Sequence, residues 1–221
     1  VVEGAPHWHA DPNALDLYDF MYLYTLAAFQ VVLDEFALTS AHLVAQSQAA
    51  PGVVKLGIIC SDKANNIVLI APLGFAATIF GNTAEIRVRT LLRRAGQTFL
   101  QLSQSPFYDP RNIYVGLMML QAIVLEPKRG ASKRKYAAGL AYDMRDDYYR
   151  LMKLQEIKGK TVTLLLGGED KVFREEEIRP LVEALDMKSL KIQVLPGVSH
   201  LSLGVRGGNK VLKAAVDIVR K

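Results

Sequence analysis

The chain has 221 residues, 50% of them hydrophobic and 22% charged, with a formal net charge of +5. That is an ordinary composition for a globular protein, long enough for one good-sized core or a core with an insertion. One cysteine, Cys60, excludes an internal disulfide and any multi-cysteine zinc site, and it fits a reducing compartment such as the cytoplasm. Residues 1–4 form a short candidate strand, and residues 5–15 form a loop that holds Pro6, His7, Trp8, His9 and Pro12. A helix is expected from about Asp19, a suitable N-cap, because Tyr22, Leu26, Phe29, Leu33 and Phe36 recur on one helical face. Thr39 and Ser40 end it, and residues 41–45 read as a buried strand. A second helix is expected after Ser47 to about Cys60, its first turn weakened by Pro51 and Gly52. Cys60 closes an apolar run and is expected to pack there as a small hydrophobe.

Residues 66–71 are apolar after Asn66 and read as a strand that stops at Pro72-Leu73-Gly74. From there to about Ile157 no strand pattern is found. Residues 84–102, 113–125 and 135–154 look helical, divided by loops at 105–110 and 126–132. Then the pattern changes: strand 161–166, helix 175–185, strand 190–195, helix 210–219. Strands alternating with helices predict an α/β fold, a mostly parallel sheet covered by helices on both faces. The expected division is a first part of the core at 1–74, a helical cap at 75–155 and a second part of the core at 156–221. The longest charge-free stretch, residues 64–84, contains Asn65, Asn66, Pro72, Gly74, Gly81 and Asn82, so it reads as strand and loop, not as a membrane span. No secretory signal opens the sequence, which begins at Val1.

Three stretches at the ends of apolar runs hold reactive residues. In Ala45-Gln46-Ser47-Gln48-Ala49, small residues two before and two after the serine let a sharp strand-to-helix turn close and expose its hydroxyl. A serine needs a base to become a nucleophile; a serine that caps the following helix is the alternative reading. Asp170 follows strand 161–166 after Gly167 and Gly168, with Glu169 beside it as the fallback, and either carboxylate can orient a histidine. Taken alone, such an acid reads as an exposed loop residue. His200 follows Leu195-Pro196-Gly197-Val198-Ser199 on a loop after the last strand, where an imidazole can reach both serine and acid and suits a general base. Serine, acid and histidine in this order, each after a strand, form a far rarer coincidence than any one of them.

These stretches resemble the α/β-hydrolase superfamily. Residues 43–72 look like its nucleophile strand, elbow, helix and next strand, and residues 162–203 look like its acid strand, acid loop and histidine loop. The resemblance implies Ser47 as nucleophile, Asp170 as acid, His200 as base and the backbone N–H of Gln48 as an oxyanion donor. It implies an acyl-enzyme, no cofactor, and a small to medium, largely apolar substrate cleaved at an ester, with an amide or a carbon–carbon bond as the alternatives. Alanine stands at positions 45 and 49 where the family has glycine. Residues 1–9 best match the fourth strand and its loop, which leaves the family's third strand, neighbour of the nucleophile strand, unaccounted for. An upstream segment or a partner chain is then expected to complete the sheet, and the 221 residues alone are expected to be poorly soluble and inactive on simple esters. In the other reading residues 1–4 are that third strand, with Gly4-Ala5 supplying the second donor. A non-catalytic binding or scaffold protein is the rival function.

Other features read more plainly. His7, His9 and Asp11 have spacing for a metal face, but between Pro6 and Pro12 a structured loop is expected and no metal is implied. Lys128, Arg129, Lys133, Arg134 and Lys135 form a basic cluster expected to be a solvated loop. The remaining basic residues are spread along the chain, so nucleic acid is not the expected partner. The apolar run from Gly116 to Leu125 either packs within the cap or lines an acyl pocket.

Overall fold

The structure, a computed structural model, describes residues 17–72, 160–200 and 208–220, with a few positions between 86 and 100. The expectations for residues 1–4, the histidine pair His7 and His9, the cap as a whole, the basic cluster and the apolar run 116–125 lie outside the described residues. Helix α1 (Leu17–Glu35) begins two residues before the expected cap. Strand β1 (Ala41–Gln46) runs into a single 3₁₀ turn (Ser47–Ala49) and then helix α2 (Ala50–Ile59). Strands β2 (Ala64–Ile70) and β3 (Val162–Gly167) follow, then helix α3 (Glu175–Ala184), strand β4 (Leu190–Leu195) and helix α4 (Gly208–Val219).

The four strands form one parallel sheet in the order β1-β2-β3-β4. Register brings the strand ends level: Gln46 pairs with Ile70, Ile70 with Leu165, and Gly167 with Leu195. Because all strands point the same way, the loops that follow β1, β3 and β4 leave one edge of the sheet.

Alternation along the strands sorts the core into two layers. Leu43, Ala45, Ile67, Leu69, Val162, Leu164 and Leu166 face one side, where Val53, Val54 and Leu56 of α2 and Ile178 and Val182 of α3 cover them. Leu26 and Phe29 of α1 pack against the same cluster. Val68, Ile70, Leu165 and Leu195 face the other side, under Val211 and Ala215 of α4. Ile67, Val68 and Leu69 are wholly buried, each contributing about 1.5–3 kcal/mol of apolar transfer free energy. Close approach of α2 depends on Gly57, where a Cβ would lie 2.5 Å from Ile67 Cδ1. Pro51 is tolerated because it occupies the first turn of α2, where its missing N–H has no helical partner to lose.

Two local expectations are corrected. Phe36 is 67% exposed, since α1 ends at Glu35 and Ala37 turns the chain with φ 49°. Strand β1 is not buried on both faces: Leu43 and Ala45 are inside, but Val44 is 46% exposed. The reason is position. Among the described residues β1 is an edge strand, and the cluster beneath α4 includes no β1 residue.

Candidate active site

Ser47 sits at the junction of β1 and the 3₁₀ turn with φ 49°, the left-handed region that side chains other than glycine rarely adopt. Such a conformation costs on the order of 1–3 kcal/mol and persists only where the surroundings enforce it. Here β1 fixes the residues before it, and Ala50 N–H bonds Ser47 C=O on the other side. The kink turns the serine out of the strand at the sheet edge. The two alanines sit in different surroundings: Ala45 is part of the core under α2, while Ala49 is exposed.

Ser47 Oγ lies 3.2 Å from His200 Nε2, and His200 Nδ1 lies 2.9 Å from Asp170 Oδ2. A carboxylate can only accept, so the proton of this second bond belongs on Nδ1. Nε2 is then the unprotonated nitrogen and faces the serine hydroxyl. The Asp170 side chain is 0% exposed and the His200 side chain 12%. Burial of the acid is compensated by donors: Asp170 Oδ1 also accepts Val172 N–H at 2.7 Å and Phe173 N–H at 2.9 Å. Its neighbour Glu169 is exposed, and its N–H bonds Val198 C=O, which ties the acid loop to the histidine loop. Of the two adjacent acids, Asp170 is the one that reaches the ring.

Two further residues hold His200. Gln46 Nε2 donates to His200 C=O at 3.4 Å, and the Phe173 ring lies 5.2 Å from the imidazole, centroid to centroid, at 47°. Sequence patterns do not single out either one, since Gln46 reads as the variable position before a serine and Phe173 as a core aromatic. Gln48 is the residue after Ser47, at the opening of the 3₁₀ turn, where a backbone N–H has no helical acceptor. Cys60 caps the far end of α2; burial first, and Asp62 second, push its thiol above its ordinary value, so it stays protonated near neutrality. Among the described residues no group of three or more His, Cys, Asp or Glu is placed to hold a metal ion, and no helix is long and apolar enough to cross a membrane.

Gly167 sets the spacing of the acid and histidine loops. A Cβ there would fall 2.3 Å from Val198 C=O. Gly167→Ala is expected to force the loops apart, lowering stability by about 1–3 kcal/mol and slowing any reaction of Ser47. Chemical denaturation and the rate of serine labelling measure the two effects.

A parallel sheet whose first, third and fourth strands end in a strained serine, a buried aspartate and a histidine in mutual contact decides the fold. It is α/β-hydrolase-like. Solved structures agree. A bromoperoxidase from Bacillus anthracis matches with a TM-score of 0.58 at 12% identity, over 90% of this chain and 73% of its own. An enol-lactonase from Burkholderia xenovorans LB400 matches with a TM-score of 0.56 at 14% identity, over 90% and 73%. A thermophilic esterase from Thermogutta terrifontis matches with a TM-score of 0.53 at 15% identity, over 86% and 68%. At these identities the likeness is one of fold. No family model and no curated protein matches the chain. Within the α/β-hydrolase-like core, four parallel strands are described, and the serine follows the strand at the edge.

Proposed function

We propose that this protein is a serine hydrolase that cleaves a carboxylic ester of a largely apolar small molecule through an acyl-enzyme. The observation that carries the reading is the continuous contact from Ser47 through His200 to Asp170, 3.2 Å and 2.9 Å. Ser47 Oγ attacks the ester carbonyl while Nε2 of His200 takes its proton. Asp170 keeps the ring in the competent tautomer and stabilises its positive charge. The backbone N–H of Gln48 donates to the developing oxyanion. His200 returns the proton to the departing alcohol, and a water activated by the same nitrogen then releases the acid. Side chains and backbone donors perform every step, so the mechanism needs no cofactor.

The fold alone does not choose this chemistry, since neighbours of the same fold carry names as different as bromoperoxidase and esterase. Two of the neighbours are named an esterase and an enol-lactonase, which agrees with an ester substrate. A cavity of ≈ 10 Å³ beside His200, lined by Ile70, Leu165 and Val198 among others, holds at most about one water.

A second reading has one observation in its favour. Among the described residues β1 has a partner on one side only, and Val44 is 46% exposed on the face that α4 leaves uncovered. An upstream segment or a partner chain that pairs there fits the enzyme, but it fits equally a non-catalytic scaffold within an assembly. A fluorophosphonate probe separates them. In the full-length protein one equivalent of probe on Ser47, located by peptide mapping, supports the hydrolase; an unlabelled, folded protein supports the scaffold.

A further inference from the structure

The acid loop is held from outside by a residue that the triad does not include. Arg94 comes from the sequence between β2 and β3 and is 8% exposed. Its guanidinium grips Glu177 through two bonds, Nη1 to Oε2 at 2.6 Å and Nη2 to Oε1 at 2.9 Å. The same Nη1 donates to Val172 C=O at 3.2 Å. Glu177 stands in the first turn of α3, immediately beyond the acid loop. Val172 is the residue whose N–H donates to Asp170 Oδ1. The Val172 residue is thus held at both ends, by the catalytic carboxylate at its N–H and by Arg94 at its C=O.

We propose that Arg94, locked by Glu177, is a positioning residue that sets the orientation of Asp170 and through it the tautomer and pose of His200. This rests on the hydrolase reading only for its effect on rate; its effect on the Asp170–His200 hydrogen bond does not. The fork is suited to the task. A guanidinium presents donors in a fixed plane, so one carboxylate in two-point contact fixes where the remaining N–H points. A lysine would supply charge without that fixed direction. Because Val172 is buried, removal of Arg94 deprives its C=O of a donor that water does not readily replace. The loop then relaxes, and the Asp170 carboxylate turns with it. Small displacements of this kind at a proton-transfer site cost up to about 100-fold in rate.

The test uses Arg94→Met, Arg94→Lys and Glu177→Gln in the full-length protein. The control is Arg179→Met, which breaks an exposed ion pair with Glu175 on the same helix. Two quantities are read: the second-order rate of fluorophosphonate labelling alongside its final stoichiometry, and the downfield proton resonance of His200 Nδ1. Arg94→Met and Glu177→Gln are expected to slow labelling by about 10- to 100-fold at full stoichiometry and to shift or broaden the Nδ1 resonance. Arg94→Lys is expected to fall between them and wild type, and the control to match wild type. Unchanged rate and resonance in folded Arg94→Met overturn the proposal. So does a loss confined to stoichiometry, since misfolding removes active molecules without slowing those that remain. If Arg94→Met does not fold, Arg94→Lys and Glu177→Gln decide by the same readings. If wild type takes no label, the hydrolase reading fails, while the Nδ1 resonance still judges the clamp.

Discussion

Replacing Ser47 by alanine is expected to lower ester hydrolysis by at least about 10⁴-fold and to abolish fluorophosphonate labelling, with no loss of fold. The hydroxyl oxygen is the only atom removed, and its contact with His200 Nε2 is part-buried, so stability should change little. A second substitution separates chemistry from strain. Ser47→Gly removes the same nucleophile but also relieves the left-handed backbone, since glycine adopts φ 49° at little steric cost. The glycine variant is not expected to lose stability; it should be more stable than the alanine variant by about 1 kcal/mol. Kinetics on a short-chain ester and urea unfolding of the two variants measure both effects. Full activity in the alanine variant would remove Ser47 from the mechanism. A glycine variant less stable than the alanine one would mean that the kink stores no strain.

How much of this site was legible beforehand depends on which physical signal each part rests on. Strands β2 and β3 could be read because each contains a short apolar run bounded by turn residues, and β4 because apolar residues alternate there with Lys191 and Gln193; the convergence of Ser47, Asp170 and His200 followed from parallel strands sharing one edge. The choice of Asp170 over Glu169 could not be secured from sequence. It depends on which carboxylate turns inward to meet Val172 N–H and Phe173 N–H, and adjacent residues look alike until that turn is seen. The exposure of Val44 was hidden because an apolar edge strand and an apolar central strand have the same composition. Arg94 was hidden more deeply. Its partner Glu177 is 83 positions away, and no period or motif links an arginine to a glutamate at that distance. Ser47 itself carried half a signal: small neighbours allow the elbow, but only the backbone reveals the positive φ.

Asp170→Asn is expected to lower kcat by about 10⁴-fold while the protein remains folded. Asparagine keeps the shape of aspartate and one oxygen, which can still accept the N–H groups of Val172 and Phe173. Its other terminal atom becomes an NH₂ group 2.9 Å from His200 Nδ1, where the native oxygen accepts. An amide nitrogen only donates, so Nδ1 must give up its proton to receive that bond. The proton then resides on Nε2, directed at Ser47 Oγ, and the ring can no longer take the serine proton. The loss arises from the wrong tautomer rather than from a broken loop, so unfolding should shift by only about 1–2 kcal/mol, the difference between charged and neutral hydrogen bonds. Glu169→Gln is the matched comparison, because that side chain is exposed at the next position and its removal of charge should change kcat by no more than about twofold. Steady-state kinetics and thermal unfolding of the pair give the answer. Should Glu169→Gln prove the damaging change and Asp170→Asn the silent one, the carboxylate that orients His200 has been assigned to the wrong residue.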